Sequence, residues 1–198
     1  MQRGFLVAFE GLDQSGKATQ AKEAARWLRA RGTEVVTASF PDYGTPIGRE
    51  IGLALRGERT FPPDVMQLLY VANRYEWRAK LAGALGRGAV VLCDRYVSSS
   101  VAYGEAQELD PSWLVDVQRH LPQPDLTLFL DIDPDTAVRR KATGRDRYER
   151  DLGLLVRVRE SYRRQSLQPG WVRVNGEREV GEIAAEVRAI LETRLWPQ

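Results

Sequence analysis

Residues 5–20, FLVAFEGLDQSGKATQ, leave this chain few folds to choose from. An apolar, strand-like run from Phe5 to Phe9 enters a glycine-framed loop, Gly11-x4-Gly16-Lys17, and leaves as an Ala/Lys/Gln-rich helix. Strand, tight loop and helix in that order make a phosphate nest. The loop N–H groups and the helix N-terminus converge on an anion, and Lys17 reaches its terminal phosphates. The residues expected against a nucleotide are Gly11, Leu12, Asp13, Gln14, Ser15, Gly16, Lys17, Ala18 and Thr19. Ala18 departs from the strict pattern, in which a Ser or Thr hydroxyl follows the lysine and holds a metal.

The rest of the chain narrows the class. Its 198 residues suit one domain with a sizeable core. No stretch approaches the roughly 18 consecutive apolar residues of a membrane span. The opening MQRGFLVAFEG lacks a signal-peptide layout, because its short apolar run leads straight into the loop, so a cytoplasmic location is expected. The single Cys93 excludes an intramolecular disulfide and a cysteine-based metal cluster, and it reads as a buried bystander in an apolar run. The lone His120 has no sequence partner and reads the same way. A formal net charge of +2 gives no reason to expect nucleic-acid or membrane partners. The 25 Arg against 4 Lys are lopsided, which fits genome composition or thermal adaptation, so only specific arginines are read as functional.

Short β-branched or apolar runs alternate with helical stretches, the mark of an α/β fold with a parallel sheet and helices on both faces. Five strands are expected at 4–9, 34–39, 89–93, 125–131 and 171–174. Helices are expected at 16–31, 46–56, 64–86, 97–107, 111–120, 134–142, 148–167 and 179–195. Gly32 and Gly88 suit helix C-caps before strands, and Pro62-Pro63-Asp64 marks a helix entrance. Ligands of such sheets gather beyond the carboxyl ends of the strands. Three of those ends are polar here: Glu10-Gly11, Phe40-Pro41-Asp42 and Asp94-Arg95-Tyr96.

Asp13 in the loop and Asp94 after the run AVVLC are carboxylates that would orient Mg²⁺ or a phosphate-binding arginine. Asp94 alone reads equally well as a strand-end or helix-capping aspartate. It is followed by Arg95, whose planar fork suits bridging two phosphates. On the segment 64–86, at about 100° per residue, Val65, Leu68, Leu69 and Ala72 share one narrow face. Tyr70, Arg74 and Trp77 fall near the opposite face. A ring and an arginine one turn apart can stack on a base and donate to its carbonyl. A helix buried on both sides would carry the same pattern. The basic run from Arg139 to Glu149 reads either as a solvated face or, beside a phosphate loop, as a lid over about 141–150. Arginines in such a lid would stabilise charge on a transferring phosphoryl group.

Together these segments resemble the thymidylate kinases of the nucleoside-monophosphate kinase group. The resemblance runs almost end to end and rests on GLDQSGK, FPDYGTPIG, LLYVANR, DRY with SSSVAY, and GRDRYE. It implies ATP as phosphoryl donor, dTMP as acceptor, Mg²⁺ on the phosphates and a homodimer packed through helices. It also implies that Arg95 touches the monophosphate and that Phe40 and Pro41, a pair often joined by a cis bond, border the acceptor. Tyr70 then stacks on thymine, Arg74 reaches a thymine carbonyl, and Ser99, Ser100 and Tyr103 lie near base and deoxyribose. Tyr103 would crowd a 2′-hydroxyl.

Some relatives place a catalytic arginine in the loop where this chain has Gln14. The charge is then expected from Arg145 or Arg147 of the lid, beside Lys17, Arg95 and Asp13. Tyr148 and Glu149 match a lid-end pair near the acceptor and the metal. Arg140 matches a position packed on adenine, and Asn175 lies in the late loop that borders it. Because Ala18 offers no hydroxyl, the metal is left to phosphates, water and Asp13, Asp94 or Glu149; Thr19 points in a different helical direction. Tyr43 stands where some relatives have a phosphate-binding arginine, which shifts acceptor affinity toward Arg95.

The expected reaction is ATP:dTMP phosphoryl transfer. Its rivals are another small-molecule kinase on the same scaffold, a catalytically impaired relative, and a nucleotide-controlled switch. Against the switch stand the absence of an Asn/Thr-Lys-x-Asp guanine signature and a set of acceptor-side residues that a switch would not use.

Overall fold

The computed structural model describes residues 3–140 and 151–197. Strand β1 (Phe5–Glu10) runs through the glycine loop into α1 (Lys17–Ala30) and then β2 (Val35–Ser39). Helices α2 (Pro46–Leu55) and α3 (Pro63–Gly86) lead to β3 (Val90–Asp94), α4 (Val97–Glu105) and α5 (Pro111–Asp116). Strand β4 (Leu126–Asp131) and α6 (Pro134–Arg140) precede α7 (Leu152–Gln165), β5 (Trp171–Asn175) and α8 (Val180–Leu195). All five strands are parallel, in the order β2-β3-β1-β4-β5. Each expected strand lies within a residue of the observed one at both ends.

Both faces of the sheet are covered, so the central strands β1, β3 and β4 are buried and largely apolar, whereas the edge strands β2 and β5 carry exposed polar residues such as Thr37 and Asn175. Val7, Phe9 and Leu92 pack on one face with Ala24 and Leu28 of α1 and Ile183 and Val187 of α8. Leu6, Ala8, Val91 and Cys93 pack on the other with Leu81, Ala84 and Leu85 of α3. Burial pushes the Cys93 thiol well above its ordinary range, so it stays protonated and inert. His120 does not share that burial; it lies at the surface beside Arg119.

Register places the site. Phe9 of β1 and Ser39 of β2 both align with Asp94 of β3, so the three strands finish level. The three polar strand ends therefore meet along one edge of the sheet.

The helices differ from expectation in instructive places. The helix expected over 111–120 stops at Asp116. Beyond it the backbone tightens into i→i+3 bonds, Gln118 to Val115 and Arg119 to Asp116, while the Gln118 side chain donates to the Leu114 carbonyl at 2.8 Å. Pro122 then brings no N–H with which to continue. Helix α7 starts later than 148, at the cap where Asp151 accepts the Leu154 N–H at 2.9 Å; residues 141–150 lie outside those described. On α3 the buried side carries Met66, Gln67, Val71, Asn73 and Arg74, whereas Leu68 of the apolar face is 44% exposed. The helix turns its polar residues inward, which only a functional cavity or a satisfied network makes stable.

Candidate active site

The glycine loop is shaped by contacts that admit no side chain. Gly11 has φ 142°, and a Cβ there would lie 2.5 Å from the Leu130 carbonyl oxygen. Gly16 precedes α1 at φ 94° with no side-chain cap, which leaves the first-turn N–H groups of α1 to an anion. Lys17 folds onto the loop, its Nζ donating to the Leu12 carbonyl at 2.6 Å and to Ser15 Oγ at 3.4 Å. Burial lowers its pKa to about 8, with the Arg95 charge adding to the shift and Asp13, Asp94 and Glu10 opposing it.

Arg95 leaves β3 in the left-handed region, at φ 62°. A residue with a Cβ holds that conformation only where its surroundings enforce it. Its N–H donates to the Phe9 carbonyl at 2.9 Å. Nη2 donates to Asp13 Oδ1 at 2.7 Å and to the Tyr103 hydroxyl at 3.3 Å. Nη1 donates to Ser99 Oγ at 3.2 Å and to the Tyr162 hydroxyl at 3.4 Å.

Behind these hydroxyls lies the fully buried carboxylate of Glu10. Oε1 accepts the Tyr96 N–H at 2.8 Å, and Oε2 accepts Ser99 Oγ at 2.6 Å and the Tyr162 hydroxyl at 2.9 Å. Both hydroxyl protons point to Glu10, so both oxygens turn lone pairs toward Arg95. On Asp13, burial would raise the pKa, but the charges of Arg95 and Lys17 and hydrogen bonds from Arg95 and Tyr103 hold it well below the usual carboxylate range. Burial would likewise lower Arg95, and Asp13 outweighs it.

Two cavities open on this pair. The smaller, about 520 Å³, is lined by Phe40, Pro41, Tyr70, Arg74, Ser99, Ser100 and Tyr103, with Asp13 and Arg95 at one side. The Phe40–Pro41 bond is cis, as the resemblance implied. Arg74 is only 2% exposed; its Nη1 donates to Ser100 Oγ at 2.7 Å and to Gln118 Oε1 at 3.0 Å. Burial draws its pKa down, with the Glu10 charge opposing. The larger cavity, about 1390 Å³, runs along the loop from Asp13 to Thr19, past Asp94 and Arg140, to residues 176–180. Arg140 ties the two rims together, donating to the carbonyls of Gln14 at 3.1 Å and Gly176 at 3.0 Å. Asp13, Phe40, Pro41, Tyr43 and Arg95 line both cavities.

Most residues singled out in the sequence therefore meet here. Gly11 and Leu12 stand behind the lining and shape it. Asn175 does not line the cavity; its Oδ1 accepts the Glu177 N–H at 2.9 Å and forms the turn that brings Gly176 and Glu177 to the rim. Arg145, Arg147, Tyr148 and Glu149 lie outside the described residues. Of the carboxylates considered for a metal, Asp13 has both oxygens engaged by Arg95 and Tyr103. Asp94 keeps a buried Oδ1 with no hydrogen-bond partner among the described residues, and its Oδ2 is 3.5 Å from Ser39 Oγ. No group of three or more His, Cys, Asp or Glu gathers for a metal among the described residues.

Sequence reasoning missed Gln67, Gln118 and Tyr162, and noted Glu10 only as a polar strand end without a role in the site. Glu10 had a signal, a charge closing an apolar strand, and so had Gln67, seven residues before Arg74 on one helix face. Gln118 and Tyr162 had none, since only folding brings their helices to the site.

The comparisons with known proteins agree with this geometry. The thymidylate kinase family model matches residues 9–187. A thymidylate kinase of Leifsonia xyli is 39% identical over 205 residues, covering 97% of this chain and 96% of that protein. One of Dictyostelium discoideum is 30% identical over 194 residues, covering 98% and 87%. A solved thymidylate kinase structure from Candida albicans superposes with a TM-score of 0.84 at 29% identity, covering 98% of this chain and 93% of that one. With the phosphate loop, the second cavity and the shared Asp13–Arg95 wall in place, the chain belongs to the thymidylate kinase family.

Proposed function

We propose that this chain, acting as one domain, transfers the terminal phosphoryl group of ATP to dTMP, giving dTDP and ADP. The bond from the γ-phosphorus to the bridging oxygen of ADP breaks as one forms from an oxygen of the dTMP phosphate. The observation that carries this reading is the shared wall: Arg95 and Asp13 stand between a cavity on the phosphate loop and one lined by the half-buried Tyr70 and the buried Arg74.

The chain's own groups suit the steps. Loop N–H groups and Lys17 hold the ATP phosphates, and Arg140 borders the adenine, with Asn175 shaping the turn beside it. Arg95 draws the acceptor phosphate toward the donor against their mutual repulsion, and Arg145 or Arg147 meets the charge that develops on the transferring group. That acceptor oxygen is already anionic, so no general base is needed. Tyr70 stacks on thymine and Arg74 donates to its carbonyl, with Phe40, Pro41, Ser99, Ser100, Tyr103 and Tyr148 around the acceptor.

Asp94 fits Mg²⁺, because its orphaned buried oxygen is a hard donor beside the phosphate loop. Asp13 and Glu149 complete the proposed acidic set, and the metal when bound neutralises phosphate charge. Val65, Leu68, Leu69 and Ala72 would form the face of a homodimer, with the enzyme in the cytoplasm and neither nucleic acid nor membrane as partner. No described helix is long and apolar enough to cross a membrane. The test is a coupled ADP-release assay over all nucleoside monophosphates, with and without Mg²⁺. Turnover is expected with dTMP, weaker with dUMP, and dependent on the metal. Rapid ATP turnover without dTMP would overturn the reading in favour of a switch.

A further inference from the structure

Gln67 is the polar residue of the acceptor cavity that the mechanism leaves unused. It is 1% exposed, lines the cavity beside Tyr70 and Arg74, and neither its Oε1 nor its Nε2 has a hydrogen-bond partner among the described residues. Leaving both atoms of a buried amide unpaired is costly, and native structures rarely do so without a reason. Its position is held rather than accidental. Gln67, Tyr70 and Arg74 follow one another at i, i+3 and i+7 along one face of α3. The Gln67 stem packs on Gly104 of α4, where a Cβ would sit 3.4 Å from Gln67 Cγ and 2.4 Å from Leu114 Cδ1. Arg74 Nε, on the same face, is likewise buried and has no partner among the described residues.

Resting on the dTMP reading, we propose that Gln67 is a specificity-determining residue that reads the imide edge of the acceptor's pyrimidine. Oε1 accepts the ring N3–H and Nε2 donates to the O2 carbonyl, while Arg74 donates to O4. An imide edge presents carbonyl, N–H and carbonyl in order, and a guanidinium, which only donates, cannot answer the N–H. Of the nearby serines, Ser99 gives its proton to Glu10 and accepts from Arg95, and Ser100 already accepts from Arg74, which leaves it one lone pair. Gln67 brings an acceptor with unused lone pairs. Arg74, anchored by Ser100 and Gln118 at the buried end of the cavity, meets the carbonyl farthest from the sugar. Cytosine would present an amine to that donor-only group and be rejected. Sites built to pair with a substrate N–H discriminate strongly, because an analogue lacking it strands buried polar atoms.

The test is Gln67→Met, close in shape without hydrogen-bonding capacity, with Gln67→Leu as a second variant. The KM for dTMP is expected to rise about tenfold or more, while the ATP KM and kcat at saturating dTMP stay within about twofold. The wild-type preference for dTMP over its N3-methyl analogue should shrink by a similar factor. The thermal midpoint of the ligand-free protein should hold or rise, since the substitution removes an unpaired buried amide. An unchanged dTMP KM and unchanged N3-methyl discrimination would overturn the proposal. So would a lowered midpoint with an unchanged KM in either variant, which would make the amide a structural anchor for buried water. Failure of the wild type to phosphorylate dTMP would instead defeat the function reading and this proposal together.

Discussion

The cavities proposed for donor and acceptor share Asp13 and Arg95, yet they are made of different materials. The donor side is backbone: loop and helix N–H groups within residues 11–19, with Gly11 and Gly16 in conformations that bring them close to an anion. The acceptor side is side chain: Phe40 after β2, Tyr70 and Arg74 of α3, Arg95 after β3, and Ser99, Ser100 and Tyr103 of α4. A backbone nest binds any phosphate and tolerates Gln14 and Ala18 in its sequence. A pocket of paired side chains tolerates little, because each substitution strands a partner. Affinity for phosphate and selectivity for one acceptor are thus separable, except at the wall where the cavities meet.

The strongest way to break that picture is at the wall. Arg95→Ala is expected to lower kcat/KM for dTMP about 10³-fold in the coupled assay. It should also cost stability, since Asp13 loses its 2.7 Å partner. Near-normal turnover would remove Arg95 from the mechanism.

Arg74→Lys tests separability. A lysine supplies charge without the planar guanidinium, whose Nη1 alone engages both Ser100 and Gln118 and leaves its other nitrogens for the acceptor. The dTMP kcat/KM should fall about 10²-fold with the ATP KM within about twofold. Equal losses for both substrates would mean the halves do not act independently.

Tyr103 is a finer probe. Its hydroxyl is held by Asp13 and Arg95, which fixes the ring in place. Tyr103→Ala should erode the preference for dTMP over its 2′-hydroxyl counterpart about tenfold, whereas Tyr103→Phe, which keeps the ring, should retain it. Selectivity untouched by Tyr103→Ala would end that role.

The smallest effect belongs to the donor side and appears with pH. Free Lys17 has a pKa of about 8, lowered from 10.5, and bound phosphates favour its charged form. Nucleotide binding above pH 8 must then take up a proton, so affinity falls as pH rises, by at most about tenfold per unit. The same depression means that between about 8 and 10.5 the unfolded chain holds more of this proton, and the lysine's contribution to stability rises with pH in that window. Calorimetry at pH 9 in buffers of different ionisation enthalpy measures the uptake; none would show that Lys17 is charged before ATP arrives.

How much of this was legible beforehand follows from the distance over which each feature is decided. Strand positions were readable because burial on both faces imposes runs such as AVVLC and LTLFLD on the central strands, and the edge strands keep β-branched residues such as Val35, Val36, Val172 and Val174. Helix α3 was half readable. Its periodicity separated Leu68 from Arg74, but not which face would be inward, because apolar residues on one side compete for burial with Tyr70 and Arg74 on the other, of which Arg74 is buried. The end of α5 was misread because Gln118 turns its amide back onto the Leu114 carbonyl and out to Arg74, a choice made by α3. Glu10 and Tyr162 are 152 residues apart in sequence and share one hydrogen bond, and no local pattern points from one to the other.

Residues 5–20 were enough to point to a phosphate site, because a nest closes on N–H groups only a few positions apart and needs little beyond its own glycines. The acceptor is another matter. Parallel register levels the ends of β1, β2 and β3, and packing of α3, α4 and α7 carries Arg74, Ser99 and Tyr162 to that edge. Side-chain hydrogen bonds act over about 3 Å, so which donors and acceptors the cavity presents was decided by tertiary convergence.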